Sequence, residues 1–300
     1  MKLSNSRDLA IYMAYFASSG GGEDNYSDVY DAFTNKPNAA TKSAQQNFVN
    51  SITSAGIWEK LDGLWVFATH SNDDGEALIN WVSPSGTAAT AVNSPTFTQY
   101  EGIETNGTNS YINLQYNPTT DATNFKQNDG VIGAYSNTNT ENNGDWDMGA
   151  VDGSNGWSAM LFYASGVNIG RINCLSSISG VETDGSGLLA VIRRANDEIV
   201  NNKNGVDVIS SVLIASAGIT NRDFYVGCLN NGTPAYHSNR QYGMAFVGGA
   251  LSEAEMASFY SAYNTYKTAI TPAAPAATSY MEDSEGNRVK DSEGSDIIIP

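Results

Sequence analysis

Gln241–Lys267 reads QYGMAFVGGALSEAEMASFYSAYNTYK, and its first and second halves carry different periodicities. The first half alternates as a strand does: Tyr242, Met244 and Phe246 fall on one face, Gly243, Ala245 and Val247 on the other. Bulky residues on one face and small ones on the other suit a strand covered on both sides. The second half opens a helix. Ser252 stands as N-cap, Glu255 closes a capping box, and Leu251 and Met256 occupy hydrophobic-staple positions. Met256, Phe259, Tyr260 and Tyr263 share one helical face, while Glu253, Ser258, Ser261 and Asn264 point outward. Thr271-Pro272 stops the helix.

Working outward from this stretch, the residues from Phe97 onward are almost wholly strand-like. Ile112, Leu114 and Tyr116 alternate, as do Trp157, Ala159, Leu161 and Tyr163, and then Phe224, Val226 and Cys228. Val167–Ile172 pairs back on the strand before it through Ala164-Ser165-Gly166, and 188–194 pairs with 198–202 about Asn196-Asp197. Short strands joined by Asn/Gly turns at this spacing predict a two-sheet sandwich. Ahead of it lies an α-rich segment. Tyr26, Val29, Tyr30 and Phe33 mark one short helix; Ala44, Phe48, Ile52 and Ala55 mark a second over 41–55, with Gly56 placed to end it. Leu64–Thr69 reads as a buried strand and Asp74–Val82 as a helical turn or two. The organisation expected is an N-terminal docking arm over 1–22, a helical or α-β preface over 23–95, a jelly roll over 96–270 and a linker with tail over 271–300.

The last strand running into LSEAEM, with DFYVGCLNN at 223–231 and its Gly227, resembles the C-terminal end of LamG-like, concanavalin A-like jelly rolls. The likeness spans Phe97 to Lys267 and implies a mainly β, two-sheet jelly-roll sandwich, here with an α-rich preface and short extended arms at both ends. The chain departs from that family at Asn239-Arg240-Gln241-Tyr242, where a glycine and an acidic residue are usual. A helical preface feeding such a sandwich is similar to structural proteins of tailed phages, through DAFTNKP at 31–37, AGIWEKLDGLWVFA at 55–68 and INWVSP at 79–84. That resemblance implies a virion-located structural subunit, whether head fibre, tail fibre, spike or capsid decoration, with glycan adhesion through the jelly roll. It also implies a homo-oligomer, taken as a trimer, with capsid or tail proteins and host or mucosal glycans as partners. A secreted carbohydrate-binding module and a glycoside hydrolase remain as alternatives.

Composition narrows the partners. With 32 acidic against 15 basic residues and a formal charge of −17, the chain repels phosphate backbones, so no nucleic-acid partner is expected. No apolar run reaches the length of a membrane span. Cys174 and Cys228 both lie in predicted strands and are expected as buried free thiols. Lys2 and Arg7 ahead of Leu9–Ala17 mimic a leader, but Asp8, Tyr12, Tyr15 and the shortness of the apolar run oppose cleavage. The expectation is a retained arm that docks on a partner through Leu9, Ile11, Tyr12 and Phe16. At the other end a Pro/Ala linker over 271–279 leads to DSEG at 283–286 and again at 291–294. Ile297, Ile298 and Ile299 are expected to dock on another chain, because so short a tail cannot bury them itself.

Candidate sites follow from the loops. Asp145, Asp147 and Asp152, in NNGDWDMGAVDG, present alternating carboxylates in a glycine-rich loop and form a Ca²⁺ candidate; a solvated loop is the competing reading. No other cofactor is expected. NDDGE at 72–76, with Ser71 and Trp81 nearby, resembles a sialidase-type box, but it occurs once and its tryptophan is distant, so a turn with a helix N-cap is expected. The E-x-D-x-E arrangement that supplies paired carboxylates on this fold is absent, and His70 and His237 are the only histidines, so no enzyme is expected. Sugar binding asks for exposed aromatic faces beside amides. Trp146, Tyr236, Asn143 and Asn239 meet that requirement, whereas Trp157 and Tyr135 are expected to be core residues of their strands.

Overall fold

The computed structural model describes residues 25–141, 144–153, 156–211, 213–271, 279–280, 289 and 298–299. Three helices are α1 (Asn25–Ala32), α2 (Ala39–Ser54) and α3 (Glu253–Ile270). The strands begin with β1 (Leu61–Trp65), β2 (Thr90–Val92), β3 (Thr96–Thr98), β4 (Gly102–Glu104), β5 (Tyr111–Asn113) and β6 (Gly130–Ser136). They continue with β7 (Met148–Asp152), β8 (Gly156–Ala164), β9 (Val167–Cys174), β10 (Ile178–Val181), β11 (Gly187–Arg193) and β12 (Ile199–Lys203). The last are β13 (Val206–Ser211), β14 (Tyr225–Val226), β15 (Leu229–Asn230), β16 (Pro234–Ala235), β17 (Gln241–Gly248), β18 (Ser279–Tyr280) and β19 (Ile298–Ile299).

The expected mainly β sandwich is present. One sheet runs β13-β12-β11-β6-β17-β4-β3, with β1 also on β17; the other runs β10-β9-β8-β7-β14-β5-β2, with β15 on β7 and β16 on β15. The hairpins β8–β9 and β11–β12 pair antiparallel as their sequence alternation asks. Between the sheets lies a core that includes Ile112, Met148, Met160, Phe162, Leu189, Val191, Val226 and Val247. A second core fills the far side of the β17 sheet, where Leu188, Ile192, Met244 and Phe246 meet Phe48, Ile52, Met256, Phe259, Tyr263 and Tyr266 from the helices. The molecule is therefore three layers deep: helices, the β17 sheet, and the β8 sheet.

The helix start is built as its sequence implies. Ser252 Oγ accepts from Glu255 N at 3.3 Å, and Glu255 Oε2 accepts from Ser252 N at 2.8 Å. Phe48 of α2 stacks at 6.0 Å on Phe259 and at 5.5 Å on Tyr266, which locks the two long helices together. Asn38 caps α2 by accepting from Thr41 N at 2.9 Å, and Gly56 ends it in a left-handed conformation.

Several expectations are corrected by packing. The register of β17 against β6 slips between Tyr242 and Met244, a bulge that turns Tyr242 into the inter-sheet core with Ala245 and Val247, away from Met244 and Phe246. The ladder of β1 covers Leu61–Trp65 rather than 64–69; past Trp65 the chain reaches the bulged part of β17, where Ala68 N donates to Gly243 O at 2.8 Å. Only a single 3-10 turn, Glu76–Leu78, forms in 74–82, where Asn80 bridges to Trp65. The boundary expected at 95/96 crosses hydrogen-bonded sheet, since β1 pairs with β17 and β2 with β5. Asp62 adds a further tie across that boundary: it accepts from the backbone N–H of Asn124 at 2.7 Å and of Phe125 at 2.8 Å, and from Tyr116 OH at 2.9 Å.

Cys174 and Cys228 are buried and free. Short strands β18 and β19 pair antiparallel, so Ile298 and Ile299 meet Tyr280 and Ser279 of the same chain. Leu9, Ile11, Tyr12, Phe16 and Ile297 lie outside the described residues. No helix among the described residues is long and apolar enough to cross a membrane.

Candidate functional site

In the β8 sheet, strand alternation that sends Ile112, Met148, Ala150, Met160, Ile172 and Val226 into the core turns their neighbours outward. The cross-strand register then lines up one row over five strands: Asn113, Tyr225, Gly149, Ala159 and Arg171. In the next row Val151 lies opposite Trp157. None of α1–α3 packs on this face, because their apolar sides are spent on the β17 sheet.

Aromatic side chains flank the row. Tyr111 stacks on Tyr225 with centroids 4.6 Å apart and planes 30° from parallel. Burial, with the Tyr111 hydroxyl beside it, pushes the Tyr225 phenol up to about 12. Trp146 leans on Trp157 at 5.6 Å, and together they cover the small buried cluster of Val151, Ala159 and Leu229. Both indoles are half-buried, with one side on that cluster. The Arg171 guanidinium lies 4.1 Å from the Trp157 ring and 5.8 Å from Trp146. Burial against these rings pulls its pKa down.

The residues expected to bind sugar divide. Trp146 and Tyr236 come together through the main chain, where Trp146 N donates to Tyr236 O at 3.1 Å and Trp146 bridges to His237. Tyr236 is 55% exposed and has φ +55°, a conformation that costs energy in a non-glycine residue. His237 sits 6.2 Å from Tyr111, and its Nδ1 is enclosed without a hydrogen-bond partner. Asn239 is exposed beside Gly107, and Asn143 lies outside the described residues. Trp157, expected in the core, instead faces outward; Tyr135 is half-buried against Tyr263 at 4.8 Å on the helix side.

The acidic loop does not converge on a cation. Asp147 turns into the sandwich and is fully buried. Its Oδ1 accepts from Ser238 Oγ at 2.6 Å and Tyr242 OH at 2.7 Å, with Arg240 Nε at 3.1 Å, while Oδ2 accepts from Phe162 N at 2.7 Å. Asp145 is half-buried one turn outward, its carboxyl pushed up by burial and by the Asp147 charge. Asp152 ends β7. Among the described residues no group of three His, Cys, Asp or Glu side chains is placed to hold a metal ion.

The box-like segment at 72–76 is structural. Glu76 is buried and accepts from Asn35 N at 2.9 Å and Asn35 Nδ2 at 3.0 Å, tying the loop after β1 to the end of α1. A separate concavity of about 410 Å³ lies among Tyr100, Glu101, Asn137, Gln241 and Lys267. Its polar groups are spent on one another: Asn137 Nδ2 donates to Glu101 O at 2.7 Å and Gln241 Oε1 at 2.9 Å, and Lys267 donates to Asn137 Oδ1 at 3.3 Å.

Arg171, Tyr111 and Tyr225 were not legible as a site in the sequence. The signal that points to them is the alternation itself. Once Phe224 and Val226 face inward, Tyr225 must face out, and Ile172 does the same for Arg171.

No family model and no curated relative matches the chain. Among solved structures it is similar to domain 4 of AbnA, a GH43 extracellular arabinanase from Geobacillus stearothermophilus in complex with arabinotriose, at 15% identity over 67% of this chain and 98% of that one, TM-score 0.42. It is similar also to the binding domain of botulinum neurotoxin serotype G, at 13% identity over 77% of this chain and 55% of that one, TM-score 0.46. A Trypanosoma rangeli sialidase is similar at 9% identity over 75% of this chain and 40% of that one, TM-score 0.48.

Proposed function

We propose that this chain is a glycan-binding β-sandwich whose ligand lies on the helix-free side of the β8 sheet, against the exposed parts of Tyr111, Tyr225, Trp146 and Trp157. The observation that carries the reading is the outward row Tyr225–Gly149–Ala159–Arg171, flanked by stacked aromatic pairs. Aromatic faces pack on the C–H faces of pyranose rings, and their polar edges stay available for hydroxyl groups. Binding rather than cleavage is supported by the use of Asp147, whose oxygens take three hydrogen bonds and the Arg240 ion pair inside the sandwich, whereas glycosidase chemistry needs two carboxyls at the sugar.

The finer assignment is a structural subunit of a tailed-phage virion, and its support is the resemblance carried by residues 31–37, 55–68 and 79–84. In that setting many copies in a homo-oligomer turn weak single-site contacts into avidity. Titration against an oligosaccharide panel tests the binding reading. Trp157→Ala and Tyr225→Ala should each weaken the best ligand about tenfold or more. A panel on which the wild-type protein finds no saccharide ligand overturns it. Immunogold microscopy with an antibody to this chain tests the assignment: labelled particles are expected, and unlabelled ones remove it.

A further inference from the structure

The proposed platform contains one group that a neutral sugar does not need. Arg171 makes no hydrogen bond and no ion pair among the described residues, and its Nε is enclosed without an acceptor. Arg222 Nε is likewise enclosed without an acceptor, but among the described residues only Arg171 is also laid over indole rings. Four other cations find carboxylates: Lys60 pairs with Glu255, Arg194 with Asp207, Lys203 with Glu182 and Arg240 with Asp147. Arg193, the other arginine of this core region, is fully buried and caps carbonyls of Ile172, Asn196 and Ile214 at 2.9–3.1 Å. Arg171 has neither solution. It is held by the Trp157 and Trp146 rings alone, at the end of the row that Tyr225 begins.

A half-buried guanidinium without an anion has lost part of its hydration and received no compensating charge. Stacked on an indole it is also fixed in orientation, so its Nη donors are pre-arranged for a planar, two-oxygen acceptor. Gly149 and Ala159 between them are buried, so a ligand meets the exposed parts of Tyr225 and the two indoles while the guanidinium meets its substituent. We infer that the ligand of this face is a carboxylated saccharide, a uronate-bearing oligosaccharide whose ring packs on the indoles and whose carboxylate pairs with Arg171. The inference rests on the glycan-binding reading above. The chain's negative charge repels such a ligand at a distance, but beyond about 8 Å that field is screened in physiological salt, and the contact is decided locally.

The test compares, on the full chain, an α-1,4-linked galacturonate hexamer, the same hexamer with its carboxyls reduced to alcohols, and a sulfated hexamer of the reduced sugar. The carboxylated form should bind about tenfold or more tighter than the reduced one, and added salt should narrow that gap. Arg171→Gln should bring the two forms together, so that the ratio of their affinities falls to about one. Equal affinity of wild-type protein for carboxylated and reduced hexamers overturns the inference and leaves the glycan-binding reading standing. So does a preference for the sulfated form, or a preference for uronate that survives in Arg171→Gln. Neither hexamer binding, while the panel yields a neutral ligand, also overturns it. The wild-type comparison decides the matter even if Arg171→Gln fails to fold.

Discussion

Asp147 is the residue on which the candidate face depends from behind. Trp146 points out and Asp147 points in, so the loop's aromatic side chain is held by a carboxylate with Arg240, Ser238, Tyr242 and the Phe162 amide around it. Burial and the Asp147 charge push the Tyr242 phenol well above its usual range, so it stays a donor. Asp147→Asn leaves the buried Arg240 without its counter-charge and should cost about 3–5 kcal/mol. Tyr242→Phe removes one neutral donor and should cost about 1 kcal/mol. Urea unfolding measures both, and equal costs would remove the charge from the explanation. His70 gives the pH dependence. Its Nε2–H donates to Asn35 O at 2.6 Å, and burial, opposed by that bond and by the Glu76 charge, holds its pKa below 6.5. The unfolded chain therefore takes up the proton first. Stability from this site is complete above the unfolded value and is lost as pH falls through the folded one. Wild-type melting temperature should drop between about pH 7 and pH 5 more than that of His70→Gln; parallel curves would exclude His70 as the source.

At the scale of elements, α3 shows how a local signal and a tertiary one divide the work. The Ser252/Glu255 box sets where the helix begins, but Phe259, Tyr263 and Tyr266 decide where it lies, against Phe48 and β17. Ser252→Ala should cost about 1 kcal/mol, and Phe259→Ala about 3–5 kcal/mol, since its cavity would open between two layers. Similar small shifts in melting temperature for both would place the helix outside the core. The bulge in β17 is the complementary case. Gly243 sits at it, and a Cβ there would lie 2.4 Å from Tyr263 Oη, so the close approach of strand and helix needs glycine. Without the bulge Tyr242 would face the helices and could not reach Asp147.

At the scale of the molecule, the helix layer covers one sheet and leaves the outer face of the other without helices. Strands from the N-terminal segment are part of both sheets, and the preface cannot be removed without unpairing β17 and β5. The tail is a different matter, because the buried side of α3 ends at Ile270. On the proposed assembly role of the tail, deleting residues 272–300 should leave the melting temperature of the sandwich near wild type and lower the number of subunits found in sedimentation. A monomer before and after the deletion removes the tail from assembly.

The sequence by itself determined the elements: the capped helices, the hairpins β8–β9 and β11–β12, and a mainly β sandwich. Each depends on residues a few positions apart, where periodicities of two and of 3.6 are written directly in the chain. It also singled out Trp146 and Tyr236 as neighbours of a polar surface. Only the tertiary structure decided the site. The row of Asn113, Tyr225, Gly149, Ala159 and Arg171 draws on five strands, and its register comes from hydrogen bonds between segments far apart in sequence. Which face of β8 stayed open was set by the helices choosing the other sheet, so Trp157 faced outward where alternation alone allowed either side. Asp147 read as a metal ligand for the same reason. Its partners at 162, 238, 240 and 242 meet it only after the sheets have packed, and a buried carboxylate must be satisfied by whatever donors packing brings to it.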